Sequence, residues 1–256
     1  MLEILHRETG VVLARFEGSA LSGVEAAGAL LRYGRLAGHD LARADLTNAD
    51  LAGSDLRGAC FADARLVGAD LAGADLTGAD FRGAILVGAK VLGANLTGCR
   101  FDRADGTRAT FRMSYATGSP PSFADAKLPN VHLGQVNLPG ADFAGADLRE
   151  ANLSQATLRG ARLVGTSLIG AVVANADLRE ADLRHADVTF AFFREVATRG
   201  ALVDGALFGG TTIVATPELG GVVGTPSWVG PMYLDSVTLD ALRGEAPGLL
   251  AAFTLD

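Results

Sequence analysis

Chemistry in this chain would have to come from four histidines, two cysteines and a large stock of aspartate. His6, His39, His132 and His185 are scattered along the sequence. Neither Cys60 nor Cys99 has a metal-ligand partner at a useful spacing. No Ser/His/Asp set, glycine-rich phosphate loop or paired metal motif is present. Most of the 33 glycines recur at five-residue spacing, which is turn chemistry. The aspartates follow the same beat and read first as turn and solubility residues. Catalysis needs groups that converge in a concave pocket, and this pattern supplies none. The expectation is therefore no catalytic residue, no metal, no cofactor and no enzyme.

The elements that carry these residues are set by a repeat. Ala-Asp/Asn-Leu/Phe begins at Ala44, Ala49, Ala69, Ala74, Ala79, Ala94, Ala141, Ala146, Ala151, Ala176 and Ala181. A period of five fits neither the helix at 3.6 nor the flat strand at 2. It fits a chain that turns a corner every five residues. One small and one large apolar residue of each unit then point inward, and three residues face water. The large ones, here called centres, run from Leu41 in steps of five to Ala116, and from Phe123 to Ile213. The small residue lies two before the centre. Asp or Asn just before the centre can hydrogen-bond local backbone and hold the turn.

Over roughly residues 36–213 this pattern resembles the pentapeptide-repeat family. The resemblance implies an all-β solenoid, a right-handed quadrilateral β-helix with four pentapeptides to a coil. Residues twenty apart then stack on one wall. Sorted that way, Phe61, Phe81, Phe101, Phe123 and Phe143 fall in a single column. The column survives the phase shift between 116 and 123, which points to a two-residue bulge near 117–120 with the coil register intact. About eight coils plus a partial ninth, at the strand spacing of ~4.8 Å, would make a stack roughly 40 Å long.

Caps are expected at both ends. Residues 1–35 read as a small α/β cap. Strands over 4–6 and 11–16 join through Glu8, Thr9 and Gly10. A capping box from Ser22 to Glu25 starts a helix over 26–32, closed by Gly34, lying over the first coil. Residues 214–256 read as a partly helical tail. It begins irregularly with Pro217, Pro226, Trp228, Pro231 and Tyr233. A short helix over 237–243 follows, capped by Ser236 and ended by Gly244, and then a second apolar stretch over 249–253. The tail either covers the last coil or forms a homodimer contact, as C-terminal helices do in some members of the resembled family. Cys60 should face out and Cys99 inward, about 9–10 Å apart and too far for a disulfide.

No run approaches the ~18 apolar residues that span a membrane. Glu3, His6, Arg7 and Glu8 break any secretory apolar core. The reading is a cytoplasmic protein with no membrane partner. Two surface features stand out. In the bulge, Arg112, Met113, Tyr115 and Pro120 form a candidate partner-binding site, since such residue types are enriched at interfaces. The competing reading there is a tolerated insertion. Near the end of the array Val172 and Phe192 should face outward on one wall, and Leu202 and Leu207 on two others. Phe192, Trp228 and Tyr233 form a candidate C-terminal interface, with the tail expected to cover part of the apolar patch.

Charge limits the partners. The chain carries −7, but residues 36–213 hold 20 acidic against 17 basic side chains. The net negative charge disfavours nucleic acid. Some relatives in the resembled family imitate duplex DNA and bind DNA gyrase, which demands a continuously negative wall. Here acid and base alternate down the walls, a pattern suited to solubility and cross-coil pairing. The sequence therefore reads as a non-catalytic protein-interaction scaffold with an unnamed protein partner. The alternative is a DNA-mimicking modulator or protector of DNA gyrase, a type II topoisomerase.

Overall fold

A computed structural model describes residues 1–17, 20–214, 216, 222–227, 233–234 and 236–245, the backbone alone for 241–245. The chain divides into two compact units, Met1–His132 and Leu133–Asp256.

The first unit opens with strands β1 (Leu2–Leu5) and β2 (Val12–Phe16), paired antiparallel with Leu2 opposite Phe16. From Leu21 onward the chain coils. Parallel bridges recur every twenty residues: Glu25 pairs with Asp45, Asp45 with Arg65, Arg65 with Ile85, and Ile85 with Asp105. The same interval holds on the walls that start at Leu30, Arg35 and Asp40. Twenty residues with a corner every five make four walls.

The corner explains the composition. Among the described residues, the one two after a centre is left-handed, as at Gly58 (φ 62°), Asn48 (φ 57°) and Asp63 (φ 57°). Glycine takes that conformation without steric cost, and Asn or Asp tolerates it. The Asp before the centre clamps the same corner. The N–H of Thr47 donates to Asp45 Oδ1 (2.9 Å), that of Ala72 to Asp70 Oδ1 (3.0 Å), and that of Thr97 to Asn95 Oδ1 (3.1 Å). Backbone groups on the walls pair between coils, as when Leu46 N–H donates to the Arg65 carbonyl at 2.8 Å.

Centres and small residues fill the interior. Phe61, Phe81, Phe101 and Phe123 stack face to face, with centroids 4.6, 4.8 and 4.8 Å apart. That spacing is the rise between paired strands. Phe111 meets Phe101 and Phe123 edge-on from another wall. Phe143, the fifth of the sequence column, belongs to the second unit and is fully buried there.

The expected helix over 26–32 does not form. Leu21, Ala26, Leu31 and Leu36 are buried at five-residue spacing. Gly23 and Gly28 turn left-handed corners with φ of 69° and 71°. Leu30, which a helix would have buried, is 76% exposed. The Ser22 hydroxyl donates to the Ala42 carbonyl of the next coil instead of capping a helix. Burying four inward side chains on that coil outweighs a local capping preference. The hairpin then pairs onto this first coil, with His6 opposite Gly34 and Arg35 N–H on the Leu5 carbonyl.

At the bulge the bridge interval changes from Asn95–Tyr115 to Arg100–Ser122, two residues longer. Thr117 N–H donates to the Thr97 hydroxyl at 2.9 Å, and Gly98 N–H to the Ser119 carbonyl at 2.8 Å. Buried Pro121 occupies the small inward place, so Phe123 resumes the stack.

The second unit repeats the design, with Asn137 bridged to Thr157 and Thr157 to Asp177. One wall widens into a parallel sheet ordered β3 (Val172–Ala174), β4 (Phe192–Arg194), β5 (Thr212–Val214) and β6 (Tyr233–Leu234). Helix α1 (Ser236–Glu245) follows. Coil pairing continues past Ile213: Leu202 bridges Val223, Leu207 bridges Ser227, and Thr212 pairs with Tyr233. Where it is described, the start of the tail thus adds to the coil, although the five-residue motif has faded. Thr238 on α1 is buried, and its hydroxyl accepts the Thr216 N–H at 3.1 Å.

Candidate functional site

Because inward positions are filled by packed side chains, chemistry is confined to the walls and corners. Four of the sequence candidates sit at the bulge, all exposed. Met113 takes a corner (φ 62°) beside Arg112. Tyr115 stands on the following wall next to Asn95 of the preceding coil. Pro120 lies in the inserted stretch.

The C-terminal candidates are arranged more regularly. Val172, Phe192, Thr212 and Tyr233 pair in register, one per strand of the β3–β6 sheet. Their neighbours Val173, Phe193 and Ile213 are buried, so this row faces out. Val172 is 38%, Phe192 36% and Tyr233 63% exposed. Tyr233 was expected to cover the patch; it extends the row as the next rung. β6 pairs edge-on with β5, so its side chains continue the pleat instead of crossing it. Trp228 lies outside the described residues. Leu207 is exposed on another wall, Leu202 is half-buried, and Phe190 projects from a corner over Gly210.

The charged walls carry a device that alternation alone did not reveal. In five Asp-x-Arg units the guanidinium folds back onto the aspartate of its own turn. Arg57 grips Asp55 through Nε and Nη2, each at 2.7 Å. Arg149–Asp147, Arg179–Asp177 and Arg184–Asp182 repeat the fork at 2.6–2.9 Å. Arg82 holds Asp80 in the same way. These bonds hold the Asp55, Asp80, Asp177 and Asp182 carboxyls below the usual carboxylate range. The expected cross-coil pairs exist too, as Lys127–Asp105 (2.8 Å) and Arg162–Asp142 (3.2 Å). Many of the pairs, however, close within one turn.

Cys99 is buried, its Sγ donates to the Leu76 carbonyl, and burial pushes its thiol up to about 12. Cys60 is half-buried on a wall, and both thiols are free. Among the described residues no group of three His, Cys, Asp or Glu is placed to share a metal ion. Among them, too, no helix is long and apolar enough to cross a membrane.

Sequence reasoning missed one cluster. Arg7, Arg35, His39 and Arg57 line a cleft beside the hairpin with Asp55 and Asp75. Reading 26–32 as a helix hid it, because Arg35 then had no wall to sit on. Starting the five-residue count at Leu21 would have placed Arg35 beside Asp55.

A family model described as pentapeptide repeats matches eight copies, over residues 13–48, 27–63, 59–97, 93–119, 126–165 and 161–196. The chain belongs to the pentapeptide-repeat family. Its coil is accordingly a right-handed β-helix. This pentapeptide-repeat protein is similar to HetL, involved in heterocyst differentiation regulation in the cyanobacterium Nostoc sp. strain PCC 7120. The two are 31% identical over 69% of this chain and 79% of HetL, with a TM-score of 0.42. A pentapeptide-repeat protein of the Arabidopsis thaliana thylakoid lumen is 31% identical over 51% of this chain and 72% of its own, with a TM-score of 0.31. A trypsin-treated variant of QnrB1, a plasmid-mediated fluoroquinolone resistance protein, is 18% identical over 82% of this chain and 90% of its own, with a TM-score of 0.46. Comparison with curated proteins gave no match.

Proposed function

We propose that this pentapeptide-repeat protein is a non-catalytic interaction scaffold that docks a protein partner on the outer face of its C-terminal sheet. The observation that carries the reading is the row Val172, Phe192, Thr212 and Tyr233 on a regular sheet face, in which three exposed large side chains flank one threonine. Contiguous exposed apolar patches mark interaction sites on soluble proteins. The packed interior supports the same reading, since function must then reside on the exterior. A second copy of this chain and a different protein are both suitable occupants. Light scattering on the purified protein, with and without Phe192→Ser and Tyr233→Ser, separates them. A dimer that the substitutions dissociate identifies self-association. A monomer whose partners in a pull-down are lost on substitution identifies a heterologous contact. A monomer with an unchanged partner set removes the proposal. The bulge residues Arg112, Met113, Tyr115 and Pro120 remain a secondary surface, tested in the same pull-down by Met113→Ser and Tyr115→Ser.

The alternative, a DNA-mimicking modulator of DNA gyrase, draws on the family resemblance. It needs an uninterrupted negative wall. The arginine forks on Asp55, Asp80, Asp147, Asp177 and Asp182 neutralise carboxylates where such a wall would need them bare. A supercoiling assay with purified gyrase tests it: inhibition or protection at low protein concentration would establish mimicry.

A further inference from the structure

We propose that the cleft beside the N-terminal hairpin is an oxyanion site, in which Arg7 and Arg35 take the phosphate or carboxylate group of a small organic molecule. Five arginines fold onto the aspartate of their own turn, whereas Arg7 and Arg35 bond main-chain carbonyls. Arg7 is pinned by its backbone N–H on the Tyr33 carbonyl (2.6 Å) and by Nη1 on the Gly53 carbonyl (2.8 Å). Arg35 places Nε and Nη2 on the Arg7 carbonyl at 3.2 and 2.8 Å. Carbonyls fix a guanidinium without cancelling its charge. Among the described residues neither side chain joins an ion pair with a carboxylate.

The two acids of the cleft are already engaged. Asp55 is held by the Arg57 fork. Asp75 Oδ1 accepts both the N–H (3.1 Å) and the hydroxyl (2.6 Å) of Thr77, and its Oδ2 lies 3.9 Å from Arg57 Nε. Three guanidinium groups thus face two carboxylates, with the His39 ring also on the wall. The surplus is positive and sits on two pre-positioned guanidinium groups, with the Nε/Nη2 fork of Arg7 left open. Nε and Nη2 of Arg7 and Nη1 of Arg35 keep donors for a ligand. A planar fork matches phosphate and carboxylate oxygens two at a time. The cleft volume of ≈ 550 Å³ exceeds a lone anion and falls in the range of small-molecule sites.

The test is a nitrogen–proton correlation titration with inorganic phosphate and, separately, citrate, with ionic strength held constant by chloride. Saturable shifts confined to Arg7, Arg35, Arg57, His39 and their neighbours are expected. Saturation by phosphate alone or by citrate alone assigns the ligand class, and both outcomes uphold the site. Arg35→Gln should weaken binding at least about tenfold, the worth of a charge-assisted pair, whereas Arg149→Gln, outside the cleft, should not. Because Arg7 and Arg35 also tether the hairpin, Arg7→Lys and Arg35→Lys are measured beside them with melting temperatures. Lost affinity at unchanged Tm upholds the fork. Shifts that chloride reproduces, that spread to Arg149 and Arg179, or that survive every variant overturn it.

Discussion

Phe61 and Phe81 lie with ring centroids 4.6 Å apart and planes 6° from parallel. The distance is imposed from outside the rings. Phe61 N–H donates to the Asp80 carbonyl and Phe81 N–H to the Arg100 carbonyl, each at 2.7 Å, and these bonds fix the coil rise. Phe81→Ala should therefore leave a void the backbone cannot close, and cost about 3–5 kcal/mol in urea denaturation. Phe81→Leu keeps most of the volume and should cost less than about 1.5 kcal/mol. Equal losses in the two variants would mean that the lost ring stacking, and not the void, sets the penalty.

The arginine forks make the fold sensitive to acid. Asp55, Asp80, Asp177 and Asp182 are held below their ordinary range, chiefly by the arginine two residues on. A carboxylate whose folded pKa is depressed contributes stability above its unfolded value of about 4. That contribution drains away as pH falls through the lower folded value. Thermal midpoints should be level from neutral pH to about 5 and decline below about 4. Combining Asp80→Asn with Asp182→Asn should flatten the decline. An unaltered acid limb in the double variant would show that the forks carry no net stability.

The interior was legible in the sequence because its period is rigid. Phe61, Phe81, Phe101 and Phe123 could be placed on one wall by counting, and Asp45 or Asn95 could be assigned to corners by type. The forks were less legible. Asp-Leu-Arg was visible at Asp55, Asp147, Asp177 and Asp182, but counting by twenties directs attention to the coil above, not to the same turn. The N-terminal error has another source. Ser22 and Glu25 satisfy a helix-capping pattern, and only Ala26 marks the second centre, so local signals spoke louder than the period. Beyond Ile213 the motif fades while the geometry persists, because Val223 and Ser227 keep their backbone bridges without the Ala-Asp-Leu side chains.

Thr198 shows what one departure from the pattern costs. Polar residues at the small inward places reach a carbonyl: Ser54 donates to Leu31 at 2.8 Å, Thr166 to Phe143 at 2.7 Å and Thr211 to Val188 at 2.9 Å. Thr198 instead occupies a centre. Its hydroxyl is buried without a partner and lines a void of ≈ 20 Å³ with Val203, Phe208 and Ile213. Thr198→Val, nearly isosteric, should raise stability by about 1 kcal/mol by removing the orphan. A fall in denaturation midpoint would show that the hydroxyl is satisfied after all, by a water in that void.

The two thiols should separate by reactivity. Cys99 is buried, bonded to the Leu76 carbonyl and raised to about 12, so almost no thiolate exists at neutral pH. Cys60 is half-buried on an outer wall. A thiol-disulfide reagent should titrate one cysteine in the native protein and two in denaturant, and Cys60→Ser should abolish the native signal. Rapid native labelling of Cys60→Ser would mean that the coil around Cys99 opens readily.

Tyr33 and Gly53 approach closely at a corner of the first unit. Gly53 is left-handed (φ 65°), and a Cβ there would stand 2.4 Å from the Tyr33 ring. Gly53→Ala should thus meet two penalties, the left-handed backbone at about 1–2 kcal/mol and the collision with the ring. Tyr33→Ala removes only the second, so the double variant should recover part of the loss. The Gly53 carbonyl also anchors Arg7, and the ring lies 5.5 Å from His6. Damage at this corner should therefore loosen the hairpin before the coils, seen as faster amide exchange at Arg7 and Arg35 than at Leu66 or Leu86. Full additivity of the two substitutions would show that ring and glycine do not meet.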